Sequence, residues 1–152
     1  MTKKELRAAM KKQNLSLSPE ERAAASGRIF RRVAESEPFG TARCVAFFCA
    51  LPDEPETEAA LARWGSARRI VVRRVGGAMP CEPSEIDLIV VPGTAFTQAG
   101  ARMGRGRGFY DKYLSQPGFR GVKVGVCYAH QLVGALPVEP HDVFMDYVIT
   151  NG

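Results

Sequence analysis

The sequence predicts a single-domain α/β protein, spanning residues 1–152, in which a mostly parallel open sheet is covered by helices on both faces. Short continuous apolar runs, which are typical of strands buried on both faces, alternate with segments of helical character. The 152 residues are enough to bury one substantial core. Hydrophobic residues make up 45% and charged residues 24% of the chain, which indicates an ordinary globular protein rather than a disordered one.

Two helices are expected before the first strand. The first opens at Lys3 with Leu6 and Met10 on one face, and such a charged helix is most often a solvated face of the protein. The second begins at Ser18–Glu21, where a serine can cap the helix, a proline suits its first turn and a glutamate completes a capping box. It should run to about Glu35. The residues that this helix should turn inward are Ile29, Phe30 and Val33.

The apolar run Cys44–Cys49 fits the first strand, and the acidic loop Leu51–Thr57 follows it. The segment Thr57–Trp64 predicts a helix that ends at Gly65. The acids of the loop have two interpretations, which the sequence leaves open. They start the helix, where negative charge is favourable, or they bind a ligand beyond the end of the strand.

The rest of the chain alternates strands with loops and one further helix. Ile70–Val72 predicts the second strand, and Ile86–Val91 predicts the third. The dipeptide Pro92-Gly93 turns the chain out of the third strand into a glycine-rich stretch. The elements expected after that turn are a helix at Phe109–Leu114 and strands at Val122–Cys127 and Tyr147–Ile149.

The most informative segment is the glycine-rich stretch Gly100–Leu114. Its glycines let the backbone turn tightly, so that successive N–H groups can form a concave anion site. Arg102, Arg105 and Arg107 add planar charged groups that match phosphate, and Asp111 directly after them can hold Mg²⁺ against the same phosphates. This pattern favours an ordered phosphate-binding loop. The alternative is a disordered glycine–arginine segment that binds RNA.

The charge and the cysteines limit the function further. The net charge of +5 suits an anionic ligand, such as a nucleotide, a polyglutamate or a nucleic acid. The four cysteines form no Cys-x-x-Cys pair and only two histidines are present, which argues against a structural zinc site. Cys44, Cys49 and Cys127 lie in strand-like runs and should be buried. With no signal peptide and no bilayer-spanning stretch, the expected location is the cytoplasm.

Several motifs together resemble those of a known family. Val90–Phe96 followed by Gly100–Lys112 is similar to the signature of the 5-formyltetrahydrofolate cyclo-ligases, also called 5,10-methenyltetrahydrofolate synthetases. The further matching motifs, in the same order along nearly the whole chain, are Lys3-Lys4-x-Leu6-Arg7, Glu54-x-x-Thr57, Glu82-Pro83 and His141-Asp142-x-x-x-Asp146.

The resemblance implies a one-domain enzyme with a Rossmann-like, CoA-transferase-like fold. It would use Mg-ATP to convert 5-formyltetrahydrofolate to 5,10-methenyltetrahydrofolate, releasing ADP and phosphate. The implied route is phosphorylation of the formyl oxygen followed by attack of the folate N10. This chemistry requires positioning and charge neutralisation more than a nucleophile. The absence of a Ser/His/Asp or Cys/His constellation is therefore no objection.

The resemblance also implies site residues. Those that would contact ATP are Lys3, Lys4, Arg7, Arg102, Met103, Gly104, Arg105, Gly106, Arg107, Gly108, Phe109 and Tyr110. Those that would contact the reduced folate, with or without a polyglutamate tail, are Cys49, Glu54, Arg105, Gly106, Arg107, Gly108 and Phe109. Those that would act on the reacting groups are Arg105, Arg107 and Tyr110, and the Mg²⁺ ligands would be Asp111 and Asp142.

If Lys3 and Arg7 bind ATP, the first helix is part of the site and not merely a solvated face of the protein. Asp146 is expected to cap or pair locally rather than to bind metal. His141 either orients Asp142 or lies on the surface, and both interpretations stay open. The partners implied are small molecules, with no nucleic acid and no membrane, and the expected state is a monomer.

One departure from the family concerns the segment Arg73–Cys81, which is shorter than the usual insert that contributes to the folate pocket. Arg73 also stands where a proline is usual. Three explanations stay open: a compact cyclo-ligase, an ATP-binding paralogue without folate turnover, or a loop missing from the printed sequence.

Overall fold

The computed structural model describes residues 1–152 and contains a five-stranded sheet with a separate two-stranded pair. The strands are β1 Cys44–Phe48, β2 Arg69–Arg73, β3 Leu88–Val91, β4 Ala95–Phe96, β5 Arg102–Met103, β6 Val122–Val126 and β7 Tyr147–Ile149. The helices are α1 Lys3–Leu15, α2 Pro19–Glu35, α3 Glu37–Thr41, α4 Glu58–Trp64 and α5 Phe109–Leu114. None of these helices combines the length and the apolar character that crossing a bilayer requires.

The five-stranded sheet has the order β2-β1-β3-β6-β7, and every neighbouring pair in it is parallel. The antiparallel component is confined to the short pair β4-β5. The chain adds β2 on one side of β1 and then returns to place β3 on the other side. In open α/β sheets, the crevice beyond the strand ends at such a reversal is where ligands bind.

Helices cover both faces of the sheet, which confirms the predicted fold class. One face packs against α2, α3 and α4 through a cluster that includes Phe30, Phe47 and Trp64. The opposite face packs against α5, where Tyr113 and Leu114 belong to a second cluster. Successive residues of β3 belong to opposite clusters, because side chains alternate across a strand. A continuous apolar run is thus needed for each central strand.

The predicted helix boundaries are confirmed where capping signals are strong. Ser18 caps α2 and accepts a hydrogen bond from the Glu21 N–H at 3.0 Å, while Glu21 accepts one from the Ser18 N–H at 2.9 Å. The residues of α2 predicted to face inward, Ile29, Phe30 and Val33, are buried. Helix α5 has the predicted bounds, and α4 begins after Thr57 and ends before Gly65 as expected.

Three features differ from the sequence-based expectations. Helix α3 was not predicted, and it is held by Phe39, whose ring centroid lies 4.4 Å from that of Trp64. The pair β4-β5 was not predicted, because two-residue strands leave no periodic signal. The expectation that Cys49 is buried is wrong, since β1 ends at Phe48 and Cys49 is exposed beside the strand end. Cys44 and Cys127 are buried as predicted.

Gly100 closes the turn between β4 and β5 and should tolerate no side chain. Its φ is +100°, and a Cβ there would collide with the backbone carbonyl of Met145. We expect Gly100→Ala to lower the free energy of unfolding by about 2 kcal/mol or more, measured by urea denaturation. In the control Gly27→Ala, the exposed glycine lies inside α2 with open space around it. That control should raise stability by about 0.5–1 kcal/mol, and a loss equal to that of Gly100→Ala would contradict the argument.

Candidate functional site

A cleft of about 580 Å³ lies beyond the carboxyl ends of β1, β2 and β3, at the reversal of the strand order. It brings together all but one of the residues that the sequence resemblance implied. Those that line it are Lys3, Arg7, Cys49, Glu54, Arg102, Met103, Gly104, Arg105, Gly106, Arg107, Gly108, Phe109, Tyr110, Asp111 and Asp142. Lys4 is exposed on α1 and does not line the cleft.

The glycine-rich loop is ordered and is tied to α1. The Nε of Arg7 donates to the Gly104 carbonyl at 3.0 Å, and the Thr94 hydroxyl donates to the same carbonyl at 3.2 Å. Gly106 and Gly108 have φ angles of +100° and +68°, a region that favours glycine. Gly108 directly precedes α5, so the glycine-rich loop leads into the start of a helix as the sequence pattern predicted.

Arg105 joins this loop to the acidic loop after β1. Its guanidinium lies 2.6 Å from Asp53 Oδ1 and 3.3 Å from Glu54 Oε2, and both carboxylates are buried. Glu56 accepts from the Ala59 N–H at 3.1 Å and so serves the start of α4. The helix-start interpretation is thus confirmed for Glu56, whereas Glu54 lines the cleft and its binding of a ligand stays a prediction. Sequence reasoning missed Asp53, although it adjoins Glu54 in the same loop.

Burial raises the pKa of Glu54, and this effect outweighs the N–H of Leu51 and the guanidinium of Arg105, which lower it. The Leu51 N–H donates to Oε1 at 2.8 Å. Because the folded protein keeps the Glu54 proton to higher pH than the unfolded chain, unfolding free energy falls as the pH rises. This loss starts near the unfolded value of 4.5 and is complete above the raised pKa.

We expect Glu54→Gln to remove that part of the pH dependence, because a side-chain amide does not titrate. The free energy of unfolding of the variant, relative to the wild type, should therefore rise between pH 4 and pH 7 in urea titrations. Glu85→Gln is the matched control, since a hydrogen bond from Arg69 lowers the Glu85 pKa. The free energy of unfolding of that variant, relative to the wild type, should therefore fall with pH rather than rise. Slopes of the same sign in the two variants would contradict the assignment.

Arg102 and Tyr110 line the cleft and lie against each other. The Arg102 Nε donates to the Pro92 carbonyl at 2.8 Å, and its guanidinium lies 5.0 Å from the Tyr110 ring centroid. Burial raises the pKa of Tyr110 to about 12. At neutral pH the phenol is therefore protonated and can donate a hydrogen bond, but it cannot act as a base. Arg107 lines the cleft, is exposed, and its side chain makes no hydrogen bond or ion pair.

Asp111 and Asp142 face the cleft from two different segments. Asp111 Oδ1 accepts from the Val143 N–H at 3.1 Å, which ties α5 to the segment of Asp142. No group of three or more His, Cys, Asp or Glu side chains that could hold a metal occurs in the structure. Two carboxylates suit Mg²⁺, because phosphate oxygens and water complete its coordination. They do not suit a structural zinc site, which needs four protein ligands.

Two neighbouring side chains bear on the metal prediction. His141 is exposed and its Nε2 lies 3.5 Å from Asp142 Oδ1, while its Nδ1 lies 3.6 Å from Glu139 Oε2. Asp146 accepts from the Lys123 N–H at 2.8 Å and forms an ion pair with its side chain at 3.4 Å. Asp146 therefore pairs locally, as the sequence analysis expected.

Several further lining residues were not predicted as site residues, and two of them end strands. Phe48 ends β1, and Arg73 ends β2. The Arg73 guanidinium lies 3.6 Å from the Phe109 ring centroid. Their positions at the ends of predicted strands could have identified them, because the last residues of neighbouring parallel strands meet at one edge of the sheet, where ligands bind.

Comparison with known proteins gives the same family as the sequence motifs. The model of the 5-formyltetrahydrofolate cyclo-ligase family matches residues 74–151. The 5-formyltetrahydrofolate cyclo-ligase of Mycolicibacterium smegmatis is 36% identical over an alignment of 97 positions, which covers 58% of this chain and 50% of that protein. The Mus musculus protein of the same name is 25% identical over 187 residues, covering 97% of this chain and 92% of its own.

A solved structure shares the fold over nearly the whole chain. The NMR structure of the Aquifex aeolicus 5,10-methenyltetrahydrofolate synthetase matches with a TM-score of 0.86 and 26% sequence identity. The match covers 99% of this chain and 90% of that one. In its match with the Mycolicibacterium relative, however, the chain spans only half of that protein's length. The family model covers more than half of the sequence, and the chain therefore belongs to the 5-formyltetrahydrofolate cyclo-ligase family.

Proposed function

We propose that the protein converts 5-formyltetrahydrofolate and ATP to 5,10-methenyltetrahydrofolate, ADP and phosphate. One observation carries the proposal: the glycine-rich loop, Glu54 and Asp111 line a single cleft at the reversal of the strand order. The curated relatives from Mycolicibacterium and mouse are named for this activity, which supports extending it to this chain.

The chemistry proceeds by phosphoryl transfer and ring closure. The γ-phosphoryl group of ATP passes to the formyl oxygen as its bond to ADP breaks. The folate N10 then attacks the activated formyl carbon and loses its proton, and cleavage of the carbon–oxygen bond releases phosphate with the former formyl oxygen. The protein has to hold two anionic substrates in line and to neutralise the charge on the transferred group.

The proposed roles follow from the present contacts of each side chain. Arg107 has no protein partner and is available to bind the transferred phosphoryl group. Arg105 binds the same group after its ion pair with Asp53 is broken. The protonated phenol of Tyr110 donates to a phosphate oxygen, consistent with its pKa of about 12. Glu54 accepts from the N–H edge of the pterin once Arg105 turns to phosphate.

Asp111 and Asp142 are the proposed Mg²⁺ ligands, and the bound ion would neutralise negative charge on the ATP phosphates. Lys3 and Arg7 reach the same cleft from α1 and are the proposed contacts to the more distant phosphates. Lys4, which lies outside the cleft, is assigned no contact.

The test is the absorbance of methenyltetrahydrofolate after the protein is mixed with 5-formyltetrahydrofolate and Mg²⁺, with and without ATP. We expect product only with ATP, and one ADP for each methenyltetrahydrofolate formed. An absence of product when ATP and the folate both bind would contradict the proposed activity.

A second candidate is an ATP-binding paralogue without folate turnover. It is favoured by the short segment Arg73–Cys81 after β2, which the family resemblance marks as shortened. The alignment with the mouse protein extends over 187 positions, more than the 152 residues of this chain. Calorimetric titration with ATP and with the folate separates the two candidates. ATP binding without folate binding would support the paralogue.

A further inference from the structure

Arg73 is held rigidly at the edge of the cleft by its backbone. It is the last residue of β2, and its carbonyl accepts from the Cys49 N–H at 3.0 Å. The residues that follow form a turn, with the Gly77 N–H donating to the Arg74 carbonyl at 2.9 Å. Arg73 therefore faces the cleft beside the end of β1, whereas Arg74 is exposed and does not line the cleft.

The side chain of Arg73 packs on an aromatic surface but satisfies none of its donors within the protein. Its guanidinium carbon lies 3.6 Å from the Phe109 ring centroid and 5.8 Å from that of Tyr110. Its Nε is buried and has no hydrogen-bond partner. A guanidinium has five N–H donors in a fixed plane, and buried donors without partners are unfavourable.

The other basic side chains of the cleft show why this is unusual. Arg7 donates to Gly104, Arg102 donates to Pro92, and Arg105 pairs with two carboxylates. Lys3 lies 3.6 Å from Glu139. Arg73 and Arg107 are the lining cations that have neither a hydrogen bond nor an ion pair, and Arg73 alone of these two is half-buried and stacked.

We propose that Arg73 is a substrate-binding residue that receives an oxyanion of a bound substrate, either a phosphate oxygen of the nucleotide or a carboxylate of the folate. The assignment rests on the proposed function, since both oxyanions belong to its substrates. Phe109 holds one face of the guanidinium, so the group is oriented before the substrate arrives and loses little freedom on binding. A planar donor of this kind matches carboxylate and phosphate alike.

The test is calorimetric binding of two probes, a non-hydrolysable ATP analogue with Mg²⁺ and 5-formyltetrahydrofolate monoglutamate. Arg73→Met keeps the length of the side chain and its packing on Phe109 but removes the donors and the charge. Arg73→Ala removes the packing as well, and Arg74→Ala is the matched control with the same loss of charge at the neighbouring position. Thermal unfolding of each variant shows that it is folded.

We expect Arg73→Met and Arg73→Ala to weaken binding of one probe by about tenfold or more, as for the loss of a charged hydrogen bond. Arg74→Ala should bind both probes as the wild type does. The probe that loses affinity identifies the oxyanion as phosphate or carboxylate. Wild-type affinity in Arg73→Met for both probes would show that Arg73 only packs, and would overturn this inference alone. A wild-type protein that binds neither probe would overturn the proposed function and this inference with it.

Discussion

Asp111→Asn is expected to abolish turnover while the fold survives. Asn Oδ1 can still accept the hydrogen bond from the Val143 N–H, so the tie between α5 and the segment of Asp142 is kept. The negative charge proposed to hold Mg²⁺ against the phosphates is lost. Metal ions contribute several kcal/mol to stabilising charge in a transition state, so kcat should fall by roughly a thousandfold. The measurement is methenyltetrahydrofolate formation at saturating ATP and folate.

The matched control is Asp146→Asn, which makes the same chemical change outside the cleft. Asp146 also accepts a backbone N–H, that of Lys123, at 2.8 Å. Its variant should keep wild-type turnover and a wild-type dependence on Mg²⁺ concentration. Full activity in Asp111→Asn, or an equal loss in both variants, would remove Asp111 from the metal site. Because Asp142 remains in Asp111→Asn, a titration with Mg²⁺ should show weaker metal binding rather than none.

Arg105→Ala is the second change with a large expected effect, a fall in kcat of roughly a hundredfold to a thousandfold. The guanidinium lies 2.6 Å from Asp53 and 3.3 Å from Glu54, and in the proposed reaction it also meets the transferred phosphoryl group. Its removal leaves two buried carboxylates without their counter-ion. The pKa of Glu54 should therefore rise further, because Arg105 is one of the groups that lower it.

Steady-state kinetics and a pH profile distinguish these effects of Arg105→Ala. A loss confined to kcat indicates contact with the transition state, whereas a higher KM for folate indicates a disturbed Glu54. Any limb of the pH profile that reports Glu54 ionisation should move to higher pH in the variant. The control Arg120→Ala removes an arginine that pairs with Asp87 at 3.0 Å away from the cleft. It should change neither parameter, and unchanged kinetics in Arg105→Ala would contradict the assigned role.

The regular elements were largely predictable because their signals are local. The capping box of α2 and the buried runs of β1 and β3 depend on neighbouring residues only, and the structure confirms them. Helix α3 and the pair β4-β5 were missed, since little more than one helical turn and strands of two residues leave too little periodicity to detect. The exposure of Cys49 was missed because the apolar run continues one residue past the strand.

The candidate site was predictable as a set of residues but not as a set of contacts. Nearly all the residues that the glycine-rich motif and the family resemblance implied line the cleft. The ion pair between Asp53 and Arg105 joins residues 52 positions apart, and the stack of Arg73 on Phe109 joins the end of β2 to the start of α5. Nothing in the spacing of these residues along the chain indicates either contact.

The sequence by itself determined the α/β class, the positions of the main helices and strands, and an ordered glycine-rich loop that leads into a helix. Those properties follow from hydrophobic periodicity, capping and glycine content, which act over a few neighbouring residues. Only the tertiary structure decided which cations are already paired and which are free, because the strand order β2-β1-β3 brings the ends of distant strands to one edge. Arg105 is paired and Arg73 is unpaired for that reason, and no local pattern could distinguish them.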